Sequence, residues 1–202
     1  MAEWRLPYSK IRPGIRPGDA IAFHGTKAVS KGIALYEKFK TGAEFSTCIT
    51  HIASAVSGPI VLDRKLMIEA NEGEVNARSI SSVLTGYSGT IWWYPLREEL
   101  SQYREAMDLR CWETIGTKYD FGSFFRNLSG NVLLDIRRLF CSELLQYSLE
   151  AIPHQAICDL LRHLKKQAID FPELDLMFAK VALRPNQLVQ LPFYRQPVEI
   201  LV

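Results

Sequence analysis

The sequence has no excess of charge of either sign: Lys and Arg number 24 and Asp and Glu 22 in 202 residues. A net charge of +2 supplies no broad basic surface for neutralising a run of phosphates, so nucleic acid is not expected as a partner. No apolar run approaches membrane-spanning length, and the opening Met1-Ala2-Glu3-Trp4-Arg5-Leu6-Pro7 lacks a basic stretch followed by an apolar one. Stable membrane insertion and export by the usual signal are therefore not expected. The expectation is a cytoplasmic protein, with phage association or non-classical export as the other routes. Cysteine is scarce, with four residues at the irregular positions 48, 111, 141 and 158, which suits reduced thiols better than a disulfide framework. What is present is 48% hydrophobic and 23% charged residues, enough to bury a core in a single domain spanning 1–202.

Along the chain, an irregular Pro-rich lead-in reaches the turn signature Arg16-Pro17-Gly18-Asp19, followed by the strand-like Ala20-Ile21-Ala22-Phe23. Residues 28–40 place apolar side chains at mainly helical spacing and read as a short amphipathic helix. Thr50–Val56 and Leu66–Ala70 read as strands, with Ile60-Val61-Leu62 either in the connection or a strand of its own. Arg78–Leu84 fits neither period. Thr90–Leu96, rich in β-branched and aromatic residues, reads as a strand. Glu98–Ile115 carries Leu100, Tyr103, Met107, Cys111 and Ile115 at helical intervals, and Gly116 is placed to stop it. Tyr119–Arg126 reads as a strand or a tight loop. Helices are expected at Phe140–Ala151 and Gln155–Ala168, and the tail reads as a turn plus a last strand. The fold class is α+β, a mostly antiparallel sheet flanked by helices.

A nucleophilic cysteine needs a stabilised thiolate, which a helix N-terminus and a neighbouring imidazole both provide. Cys111 and Cys158 fall within helical segments on apolar faces and read as small core fillers. Cys48 lies three residues before His51, so on an extended chain the two point to opposite faces. Cys141 opens a helix, where unpaired N–H groups and the positive dipole end favour a thiolate. His51 is flanked on its own face by the small Ala53 and Ala55, which leaves room beside the imidazole; a satisfied core histidine is the plainer reading. Glu69, in the apolar run Leu66–Ala70, is costly to bury without a partner. If these runs pair antiparallel with a register centred near Ile60, Glu69 faces His51 directly. Cys141, His51 and Glu69 then make a nucleophile, a base and an orienting group.

The order of these pieces resembles the circularly permuted, YiiX-like branch of the NlpC-type papain-like cysteine hydrolases. Arg16–Phe23 resembles the opening Pro-Gly-Asp strand of that family, Thr50-His51-Ile52-Ala53 its His-bearing strand, and Ile68-Glu69-Ala70 with Gly73-Glu74-Val75 the next strand and turn. Gly116-Thr117-Lys118-Tyr119-Asp120-Phe121 resembles its Gly-x-x-Tyr-Asp segment. Phe140-Cys141-Ser142-Glu143-Leu144 resembles the start of the nucleophile helix, and Arg184–Leu188 its late Pro-x-x-Leu turn. The resemblance implies a barrel-like sheet packed on helices, no cofactor and no metal. It also implies hydrolysis of an amide or ester carbonyl through an acyl-enzyme: Cys141 attacks, His51 moves the proton and Glu69 orients His51. Tyr119 then lines the site or adds an oxyanion donor, or is simply a packed aromatic. The substrate class is a small molecule, a peptide or a lipid-like compound.

Several rival readings are set beside this one. Residues 154–182 exceed the compact members of the family, and the segment reads as extra core, a lid or a homodimer surface. His154, Cys158 and His163 lack a fourth ligand at a zinc-like spacing. Gly25–Gly32 does not match a phosphate loop. Arg137-Arg138 reads as a solvated pair or an anchor for a substrate anion. A thiol-dependent acyltransferase uses the same three residues with an acceptor other than water, and a non-catalytic binding module keeps the fold alone.

Overall fold

A computed structural model describes residues 4–25, 49–58, 64–71, 73–119, 138–166 and 170–201. Its centre is a seven-stranded sheet in the order β1-β9-β6-β2-β3-β4-β5. The strands are β1 (Trp4–Pro7), β2 (Ala20–His24), β3 (His51–Val56), β4 (Leu66–Ala70), β5 (Val75–Ser79), β6 (Thr90–Tyr94) and β9 (Val198–Leu201). Only β1 and β9 run parallel; the other neighbours are antiparallel. A separate short pair joins β7 (Lys118–Tyr119) to β8 (Arg138–Leu139). The sheet is therefore α+β and mostly antiparallel as expected, but it is open rather than barrel-like: β1 and β5 are its two edges and do not pair with each other.

Each side of the sheet has its own core. Ala20, Ala22, Ile52 and Trp92 face the larger one, which takes in α4 (Cys141–Leu149), α5 (His154–His163) and α6 (Pro172–Phe178) through Leu145, Leu149, Ile157, Leu160, Leu161, Leu174 and Met177. Leu160, Leu161 and Leu174 of the 154–182 segment are thus buried in the main core, with Leu164 and Leu176 half-buried against it. Ile21, Phe23, Ala53, Ala55, Met67 and Ile91 face the other, closed by Ile11 and Ile15 and by Ile80 and Leu84 of α2 (Ile80–Thr85). All five residues of β2 are buried, which explains why the run is apolar without alternation.

The Pro-Gly-Asp turn is a joint between elements. Gly18 has φ +83°, a backbone state that favours glycine, and an added Cβ there would also press on Met107. The turn buries Asp19, whose carboxylate accepts bonds from Arg16 N–H (3.0 Å), Trp93 Nε1 (2.8 Å), Leu96 N–H (3.0 Å) and Arg104 Nη1 (2.8 Å). It ties the start of β2 to the end of β6 and to α3 (Arg104–Glu113).

Other elements depart from the sequence reading. The lead-in contains β1 and the short α1 (Tyr8–Ile11) rather than irregular chain. All of β1 is exposed, so ladder bonds to β9 hold it and no burial pattern marks it. The expected 98–115 helix starts as a 3-10 helix over Glu98–Tyr103 and turns α-helical at Arg104, while Gly116 ends it at φ +81°. Arg78–Leu84 spans the end of β5 and most of α2. The late turn is a short helix, α7 (Pro185–Gln190), started by a proline whose missing N–H costs nothing at that position. The expected helix at 28–40 and the Ile60-Val61-Leu62 run lie outside the described residues.

Candidate active site

Cys141 is the first residue of α4, directly after Phe140 in extended conformation (φ −104°, ψ 172°). The Phe140 N–H donates to Glu143 Oε2 at 3.0 Å, which fixes the entry to the helix. Leu144 packs with Val56 and Ile68, and Leu145 and Leu149 join the core beside Ile52, so apolar contacts seat the helix on β3 and β4. This places the unsatisfied N–H groups of the first turn at Cys141. Only 5% of Cys141 is exposed.

His51 opens β3, and its Nε2 lies 2.7 Å from Glu69 Oε2. The pairing arises from a register two residues away from the expected one. Ser54 pairs with Ile68, Ala55 with Met67 and Val56 with Leu66. Continuing that register sets Ala53, not His51, across from Glu69. A shift of two keeps every side chain on its face, so His51 and Glu69 meet as a diagonal pair. The second Glu69 oxygen, Oε1, accepts from Arg78 Nη1 at 2.8 Å, and Arg78 sits on the neighbouring edge strand β5. Glu69 is 2% exposed and has both oxygens engaged by donors, which answers the cost of burying it.

These contacts set the charge states. Burial disfavours the imidazolium of His51, but the negative charge and hydrogen bond of Cys141, with the bond to Glu69, outweigh it and push His51 up to about 10. Cys141 thus lies near enough to His51 for its charge to act on the imidazole. Burial works against ionisation of Glu69 as well, and the His51 and Arg78 contacts prevail to hold it below its usual value. Nearby Tyr87, edge-on to Phe23 at 5.2 Å, is pushed up to about 12 by burial and by the Glu69 charge. A quarter of the His51 side chain (26%) remains exposed, so the imidazole is the open side of the pair.

The structure thus brings Cys141, His51 and Glu69 together. Tyr119 is placed only through its backbone, which pairs with Leu139 two residues before Cys141. Arg78 was not singled out in the sequence; the one available signal was the buried acid at Glu69, which needs a second donor besides His51. Cys111 is fully buried as expected, and burial pushes its thiol up to about 11. Cys158 is not a core filler: it lies on the flank of α5, partly exposed, 3.6 Å from His154 Nδ1, while Ile157, Leu160 and Leu161 take the buried face. His163 turns away to Glu99 at 3.4 Å. Cys48, Arg137 and most of Gly25–Gly32 lie outside the described residues.

Compared with known proteins, the fold is similar to the crystal structure of the metalloprotein yiiX from Escherichia coli O157:H7. The match has a TM-score of 0.55 at 14% identity and covers 89% of this chain and 94% of that one. No family model matches the chain, and no curated protein matches it in sequence. The name of that neighbour raises the question of a metal here. Among the described residues no group of three or more His, Cys, Asp or Glu is arranged to hold one. Glu69, the only carboxylate bonded to His51 among the described residues, already has one oxygen on the imidazole and the other on a guanidinium, so these residues do not fit a metal ion. No helix among the described residues is long and apolar enough to cross a membrane. The chain has a yiiX-like α+β fold.

Proposed function

We propose that this chain is a cysteine hydrolase of the papain-like type, in the circularly permuted arrangement in which the histidine precedes the cysteine. It acts on an amide or ester carbonyl. The observation that carries the reading is the convergence of a helix-opening Cys141 with His51 and the buried Glu69 from two neighbouring strands. Because Nε2 of His51 is held by Glu69, Nδ1 is the nitrogen available to the thiol. With the thiol proton already resting on His51, the Cys141 thiolate Sγ bonds to the carbonyl carbon as the carbonyl π bond opens onto oxygen. The oxyanion lies by the first-turn N–H of Cys141. His51 returns the proton to the leaving nitrogen or oxygen as that bond breaks, which leaves a thioester. Water, deprotonated by His51, then adds to the thioester and releases the acid and the free thiol.

The test is the pH dependence of iodoacetamide alkylation at each cysteine, read peptide by peptide by mass spectrometry in the wild type, His51→Ala and Glu69→Ala. Cys141 is expected to react fastest on the acidic side of neutrality and to lose about tenfold or more of that rate in His51→Ala. A Cys141 that titrates as an ordinary thiol, or stays inert in the native protein, overturns the proposal and leaves a binding module with the same fold.

A further inference from the structure

A second concave surface lies away from Cys141. Trp93 and Tyr94 close β6 opposite the Ala20 end of β2, whereas His51 pairs with Phe23 toward the other end of that strand. There the chain forms an open groove of about 780 Å³ to which no residue of β3, β4 or α4 contributes. Five of its lining residues are aromatic, among them Trp4, Trp93 and Phe171, and three are basic: Arg97, Lys166 and Arg195. None is acidic.

The groups are partly preset. The Trp93 indole is pinned by its bond to Asp19 and fills the space over Gly14. Arg97 is held by its Nε to the Pro192 carbonyl at 2.9 Å, which leaves its terminal nitrogens uncommitted among the described residues. Arg195 is shared with Glu98 at 2.7 Å, so Arg97 and the exposed Lys166 carry the unbalanced charge. Trp4 is 60% exposed, a large ring left in water.

Rings beside uncompensated cations favour a ligand with a π-face and an anionic group. A bare phosphate would leave the rings unused, and a long alkyl chain would meet open aromatic faces rather than an aliphatic channel. Three cations are too few to track a nucleic-acid backbone. We infer that this groove binds a planar aromatic anion of the nucleoside-phosphate class, with the base on Trp4 and Trp93 and the phosphates toward Arg97 and Lys166.

Calorimetric titration of the full chain tests this with ADP, adenosine, inorganic pyrophosphate and oleate. ADP should bind more tightly than adenosine or pyrophosphate. Trp4→Ala should weaken ADP at least about fivefold, as loss of one stacking platform does. Lys166→Ala should weaken it about twofold and flatten its salt dependence. Both side chains are exposed, so both variants retain the fold; Cys141→Ala should bind ADP as the wild type does. The inference fails if none of the four probes binds, if oleate binds more tightly than ADP, if Trp4→Ala and Lys166→Ala bind ADP unchanged, or if Cys141→Ala abolishes binding.

Discussion

Asp19 and Glu69 are both buried carboxylates bonded to an arginine, and they differ in what else they touch. Asp19 accepts four bonds from two backbone N–H groups, an indole and a guanidinium, none of which changes charge near neutral pH. Glu69 divides its oxygens between a half-exposed guanidinium and an imidazole. The first is a saturated joint that fixes where β2, β6 and α3 meet. The second is bonded to a group whose proton moves. Burial of a charge therefore does not by itself mark a reactive site; the titration of its partner does.

That contrast can be broken most forcefully at Asp19. Asp19→Asn should cost about 3–5 kcal/mol in urea denaturation, since it leaves Arg104 charged and 8% exposed without its counter-ion. Alkylation of Cys141 in whatever fraction stays folded should be unchanged. A cost below about 1 kcal/mol would show that the joint is not structural.

Glu69→Gln should cost less, about 1–2 kcal/mol, while lowering the His51 pKa seen by NMR titration from about 10. The pH dependence sharpens the point. His51 is raised in the folded state, so its stabilisation is complete below 6.5 and lost as pH climbs toward about 10. Glu69 is lowered, so its stabilisation is complete above 4.5 and lost as pH falls below it. The stability gap between the wild type and a His51→Ala/Glu69→Ala double variant should be widest between 4.5 and 6.5 and narrow on both sides. A gap that is flat from acid to alkaline pH would contradict the coupling.

The smallest effect is expected at Arg78, whose side chain is 43% exposed. Arg78→Ala should cost about 1 kcal/mol or less in denaturation and slow acid-side alkylation of Cys141 only a few-fold, because Glu69 keeps its bond to His51. A loss equal to that of Glu69→Gln would make Arg78 the group that holds the carboxylate in place.

What the sequence revealed of this arrangement depended on local signals. Cys141 at a helix start and a carboxylate inside an apolar run are both visible in a few residues. The His51–Glu69 register was not, because strand pairing is a non-local property; the expected pairing was two residues off and survived only because a strand's faces repeat every second residue. β5, and Arg78 with it, was missed because an edge strand with exposed polar side chains shows no apolar alternation. The same holds for β1, exposed along its whole length. Cys158 was misplaced by one position on its helix wheel: Ile157 and Leu161 point inward and Cys158 beside them does not.

The pairing of β1 with β9 also bears on how the molecule assembles. Arg5 and Glu199, bonded side by side on these strands, are 194 residues apart. Contacts between residues so far apart in the chain close a large loop, and it is the contacts of the sheet that offset the entropy of that closure. In the strand order β9 lies between β1 and β6, so wherever β1 is lifted away β9 becomes an unprotected edge open to a strand from a neighbouring chain.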